Sequence, residues 1–302
     1  MNGLRQSPPA SRSGFTLVEV LVAVAVLSIV AVGLLQILGL SMQTWQQGLA
    51  QTDCSTKARV VLDSATADIQ RAVFRSDLIN FPIASTTSTP PMPIFTFYTR
   101  AAGASTGTVT VRPVSLVSYQ LSSSSGLQGY LLRSENTINW SANSNLNFLQ
   151  QLSPVPAATT VPASPVPPND LLSTGIADFE MIFFLSDGTT VLAKNYQSPS
   201  TASVVMIGLA VAVIDDQAMT QLQPATSPDF GNIQKTLETA LNPPNFSPMT
   251  GSGTYTSPNY GRSIKALWDP AMLPVYQTPG YPKSLASGFQ TFERFVPCTP
   301  FN

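Results

Sequence analysis

The pattern of apolar and polar positions changes character twice along the chain, giving three regions. From Phe15 to Met42 the residues are almost all apolar, FTLVEVLVAVAVLSIVAVGLLQILGLSM, and Glu19 is the only charge between Arg12 and Asp53. About 20 apolar helical residues cross a hydrocarbon core of ~30 Å, so this run predicts a membrane-spanning helix. Further on, Ala58, Val61, Leu62, Ala65, Ile69, Ala72 and Val73 recur at spacings of three and four. Lys57, Arg59, Asp63, Asp68 and Arg71 fall mostly off that stripe, which is the pattern of an amphipathic helix. A helix from Phe15 to about Arg75 would be ~90 Å long at ~1.5 Å per residue. Gly33, Gly39 and Gly48 are the places where it would bend or loosen.

Phe81-Pro82 is expected to end the helix, and a strand pattern follows. Residues 94–98, 108–111, 114–121 and 129–133 read as strands, the last two pairing across a turn. Residues 153–168, SPVPAATTVPASPVPP, read as an extended connection. Apolar runs at 179–185 and 190–193 flank Asp187-Gly188, a hairpin signal. Residues 203–214, SVVMIGLAVAVI, are β-branched and too short to cross a bilayer, so they predict a central strand ended by Asp215 and Asp216. Short helices are expected over 230–241 and 263–268, and a closing strand over 292–296. The organisation is a basic leader (1–14), an apolar helix (15–42), an amphipathic continuation (43–76) and a β-rich head (77–302). The fold class is α+β, with a long N-terminal helix packed on an antiparallel β-sheet.

Composition narrows the chemistry. The chain has no histidine, which removes the usual general base near neutral pH and the commonest metal ligand. Without it a serine triad cannot be built, and two cysteines cannot form a Cys-based zinc or iron–sulfur set. Cys54 and Cys298 leave two alternatives open: one disulfide, if the head lies outside the cytoplasm, or two buried thiols. A net charge of −1 gives no electrostatic case for nucleic acid. Calcium takes about 6–8 oxygen ligands, so Asp215-Asp216 reads as a solvated turn. Tyr255, Tyr260, Trp268 and Tyr276 read as cover for the core beneath loops. The expectation is a non-enzymatic protein with no cofactor and no bound metal.

The N-terminus carries the strongest signal. Residues 1–14 hold Arg5 and Arg12 and no acidic group, which orients the helix with its N-terminus in the cytoplasm. A secretory signal peptide has an apolar core of about 7–15 residues, and this run exceeds that. A carboxylate within a membrane helix costs ~2.5–3.5 kcal/mol when central, less near the interface, and marks function. Gly14-Phe15-Thr16-Leu17-Val18-Glu19 closely resembles the G|FTLxE signature of type IV prepilins and pseudopilins.

That resemblance implies a pilin-like fold and a prepilin peptidase that cuts between Gly14 and Phe15 and N-methylates Phe15. Removing 14 residues from 302 leaves 288, and loss of the two arginines takes the net charge from −1 to −3. It also implies that Glu19 pairs with the α-amino group of a neighbouring subunit's Phe15, fixing axial register as a buried polar group does in a coiled coil. The partners implied are the peptidase, other pilins or pseudopilins and inner-membrane lipid. The protein would be single-pass, with a periplasmic head that becomes filament-associated after assembly. The order of strands in the head further resembles minor pseudopilin J of type II secretion, and the chain resembles prepilin-like proteins of verrucomicrobial cassettes. The expected function is a minor pilin or pseudopilin. The alternative is a bitopic membrane protein whose extracytoplasmic head binds a ligand and never enters a filament.

Overall fold

The computed structural model describes residues 16–72, 84–85, 93–100, 111–122, 128–139, 171–193, 203–222, 229–241 and 263–298. The chain divides into two units, Met1–Leu49 and Ala50–Asn302. Among the described residues, the first holds the N-terminal part of helix α1 (Leu17–Gln70). Helix α1 continues unbroken through Gly33, Gly39 and Gly48, where loosening was expected. Each glycine costs about 1 kcal/mol relative to alanine, too little to interrupt a run of Leu, Val and Ala.

The second unit carries two antiparallel sheets rather than the one expected. The first sheet has the order β1 (Ala84–Ser85), β2 (Pro93–Thr99), β3 (Val111–Leu121), β4 (Leu131–Asn139), β5 (Leu171–Ser173). The second has the order β7-β6-β8-β9, built from β6 (Ile176–Leu185), β7 (Thr190–Leu192), β8 (Val204–Ile214) and β9 (Phe289–Pro297). Gly175 is where the chain leaves one sheet for the other. Its φ is +72°, and an added Cβ would lie 2.3 Å from the Ile214 carbonyl oxygen, so only glycine fits this redirection without strain. The expected hairpin forms between β6 and β7. Gly188 takes φ 82° in the turn, and the Asp187 carboxylate accepts from the Thr189 N–H at 2.8 Å. Residues 108–110 and 153–168, together with Phe81, Pro82, Tyr255 and Tyr260, lie outside the described residues.

Helices α2 (Asp216–Leu222), α3 (Asp229–Leu241), α4 (Ile264–Gln277) and α5 (Leu285–Gly288) complete the unit. Helix α4 runs well past the 263–268 expected, through Pro270 and Pro274. Both prolines face solvent, so water can satisfy the carbonyls they leave unbonded. Ile264, Trp268, Met272 and Val275 on the opposite face are buried.

The second sheet is covered on both faces. Phe179, Met181, Phe183, Leu209, Val211 and Val213 pack with α1 and the first sheet. Ile182, Ala210, Ala212, Ile214 and Phe289 pack under α2, α3 and α4. Two-sided burial explains why β8 reads as a continuous apolar run, where a strand with one wet face would alternate. Trp268 lies in the second core with its indole N–H on the Leu237 carbonyl at 3.1 Å, and Tyr276 packs against Phe289.

Candidate functional site

The apolar helix and the start of α1 form the candidate site. The backbone N–H of Glu19 donates to Thr16 Oγ1 at 3.3 Å, and Val20 N–H donates to the Thr16 carbonyl at 3.2 Å. Thr16 therefore caps α1, with Glu19 three residues on, the spacing of a capping box. The glutamate also stands in the first turn, where the helix dipole favours a negative charge. Thr16 and Glu19 thus serve the local fold as well as any partner. Gly14 and Phe15 lie outside the described residues.

From Leu17 to Leu49 the large apolar side chains point outward on every side, with Leu17 80%, Ile29 74% and Leu35 68% exposed. Among the described residues this is the one helix long and apolar enough to cross a membrane. Two of its hydroxyls are satisfied within the helix: Ser28 donates to the Val24 carbonyl at 2.8 Å, and Thr44 to the Leu40 carbonyl at 3.0 Å. Two exposed residues on this helix were missed by reading charge alone. Gln36 places an amide in the last third of the apolar run, and Trp45 stands just past its end. A scan for uncharged polar and aromatic groups would have found both.

The distal part of α1 is fixed to the head by three polar contacts within the second unit. Lys57 Nζ pairs with Asp53 at 2.7 Å and Asp216 at 2.6 Å. Burial alone would lower the Lys57 pKa, but hydrogen bonds to these two carboxylates hold it above its ordinary value. Asp215, beside this pair, accepts from the Ala218 N–H at 3.1 Å and so caps α2. Its pKa is raised by burial, partly offset by backbone N–H groups. The residues expected to form a solvated turn are therefore a buried cap and a salt-bridge partner.

Asp68, expected with the polar positions, is buried. It accepts two bonds from Arg133, at 2.8 and 3.0 Å, and one from the Tyr119 hydroxyl. Arg133 also reaches Glu135 at 3.1 Å. Hydrogen bonding to Asp68 raises the Arg133 pKa, and burial raises that of Tyr119. A bidentate arginine on a buried carboxylate is geometrically specific, so this cluster fixes the rotation of α1 against the first sheet. Arg294 of β9 pairs with Asp63 on a more exposed face.

Cys54 and Cys298 are both free and buried, so the disulfide alternative is not the one realised. Cys54 Sγ lies 3.3 Å from the Gly288 carbonyl, at the end of β8 that holds Val213. Cys298 bonds through its backbone N–H to Val205 at the other end. The thiols are thus roughly 25 Å apart along the strand, whereas a disulfide needs Cα atoms within about 4.4–6.8 Å. Burial pushes both thiols up to about 12. On the outer face of the head, α3 and α4 border a groove of about 710 Å³ lined by Asp229, Asn232, Lys235, Thr239 and Tyr281.

The prokaryotic N-terminal methylation motif matches residues 9–35, a span that contains Gly14, Phe15 and Glu19. Neither the curated proteins nor the solved structures yield a match to the chain.

Proposed function

Starting from a membrane-anchored chain of the type IV pilin-like class, whose methylation motif implies processing by a prepilin peptidase, we propose that this protein is a non-enzymatic filament subunit. The finer assignment is a minor pilin or pseudopilin of a type IV pilus-like or type II secretion filament, inserted in the inner membrane with its head in the periplasm. The observation that carries this reading is the methylation motif lying directly on a helix that exposes apolar side chains on all sides. Such a helix needs lipid before assembly and other apolar helices after it, and a filament core supplies the second.

Within that core Glu19 would pair with the freed amino group of a neighbour's Phe15 and set the axial register. Gln36 supplies an amide that can hydrogen-bond across helices in an apolar medium. The head, with few charges and a polar groove between α3 and α4, would act as a contact surface for cargo or a neighbouring subunit.

Mass spectrometry of the mature N-terminus tests the processing step. The expected result is N-methylated Phe15, and an intact leader on membrane-inserted protein would favour the bitopic anchor instead. Glu19→Val is expected to leave cleavage largely intact while reducing co-assembly with other pilins. Normal entry of that variant into filaments would remove the register role from Glu19.

A further inference from the structure

Trp45 is a large aromatic side chain left 71% exposed on α1, and filament packing through Glu19 does not account for it. It lies three residues beyond the apolar run, among Gln43, Thr44, Gln46 and Gln47. No lysine or arginine occurs between Met42 and Asp53. Cationic and aromatic side chains are what hold the end of a membrane helix at the water boundary, so Trp45 is the residue available for that task. An indole suits the ester and headgroup layer because its ring is apolar while its N–H needs an acceptor.

Spacing gives an independent reason. Trp45 stands about 39 Å along the helix from Glu19, at ~1.5 Å per residue. A bilayer with its headgroup layers is about 40–45 Å thick. Glu19, the charge near the cytoplasmic end, and Trp45 therefore bracket one membrane. Resting on the membrane-anchored reading, we propose that Trp45 is a lipid-interface site that seats in the outer headgroup and ester layer and sets the depth of α1 before assembly. The same depth puts Gln36 about 13 Å below Trp45, inside the hydrocarbon layer, where another helix can satisfy its amide.

The test uses the full chain in phosphatidylcholine vesicles carrying lipids brominated either near the headgroup or near the chain end. Of the three tryptophans, Trp140 is replaced by phenylalanine, and the Trp45 signal is the difference between W140F and W140F/W45F. Phenylalanine at an exposed helical position leaves the fold in place, and flotation with resistance to alkaline extraction verifies insertion of both variants. The expected result is stronger quenching of Trp45 by the shallow bromines than by the deep ones. Equal or stronger quenching by the deep bromines would overturn the proposal. Quenching by neither, in protein that floats and resists extraction, would overturn it alone and assign Trp45 to a protein contact. Failure to float at all would instead remove the membrane-anchored reading, and this inference with it.

Discussion

Helix α1 is one continuous element with two different environments. Up to Leu49 its Leu, Val and Ile side chains are exposed around the full circumference, whereas from Ala50 to Gln70 one stripe is buried and the other face carries most of the charge. The hydrogen-bonded backbone is the same in both parts. What differs is whether the apolar positions have protein partners. The distal stripe buries Cys54, Ala58, Val61, Leu62, Ala65 and Ile69 against the sheets, so tertiary packing completes it. Among the described residues the proximal part has no such core, and an apolar surface around its full circumference calls for a lipid environment.

Three experiments bear on this contrast. The largest effect is expected for Arg133→Met, which leaves the buried Asp68 carboxylate without its bidentate partner. Removing one member of a buried pair costs about 3–5 kcal/mol, here placed near the lower end because Arg133 is partly exposed. Chemical denaturation of the full chain in detergent reads this directly. A change below 1 kcal/mol, on the order of a surface pair, would mean that the cluster does not hold the distal helix.

Next is a matched pair. Leu62→Ala should lower the stability of the head by about 2 kcal/mol, the lower end of the cost of truncating a buried leucine, since Leu62 keeps a little exposure. Leu35→Ala, on the exposed proximal part, should leave the same transition unmoved. Equal losses would abolish the distinction between the two segments.

The smallest effect at neutral pH, one that develops only above pH 9, is a pH dependence from the buried thiols. Cys54 and Cys298 have folded pKa values of about 12 against an ordinary 9.0. Below pH 9 both states hold the proton, and the stability linked to these thiols is fully present. As pH rises through 9 toward 12 the unfolded chain ionises first, so stability falls over that window. Replacing both residues with alanine should flatten this slope, and an unchanged slope would assign it to other groups. Below pH 9 both thiols should also be slow to react with alkylating reagents until the head unfolds.

Much of the fold was legible where burial produces a period. The α1 stripe, the hairpin at Asp187-Gly188, the strand over 203–214 and the helix over 230–241 all follow from apolar spacing and turn chemistry. Three features escaped for physical reasons. Asp68 lies among polar positions, and only the long-range partners Arg133 and Tyr119 make its burial favourable. Helix α4 extends past the expected end at Trp268, because sequence does not reveal that Pro270 and Pro274 both face water. The second sheet was hidden because Gly175, which redirects the chain between sheets, resembles any loop glycine until Ile214 is seen against it. At the candidate site Glu19 stood out as the one charge in an apolar run. Gln36 and Trp45 did not, since an uncharged residue gives no signal in a scan for charge.

The two-sided burial of β8 has a consequence for how the head is made. This strand is apolar toward both layers, and its second edge is covered only by β9, which ends at Pro297. Until residues 289–297 emerge, β8 therefore presents an unpaired edge rich in β-branched residues, of the kind that templates aggregation. The Asp63–Arg294 contact, across 231 residues, likewise waits for the same segment. Such non-local pairing makes closure slow. A chain cut short before β9 would therefore leave that edge of β8 open to aggregation and proteolysis.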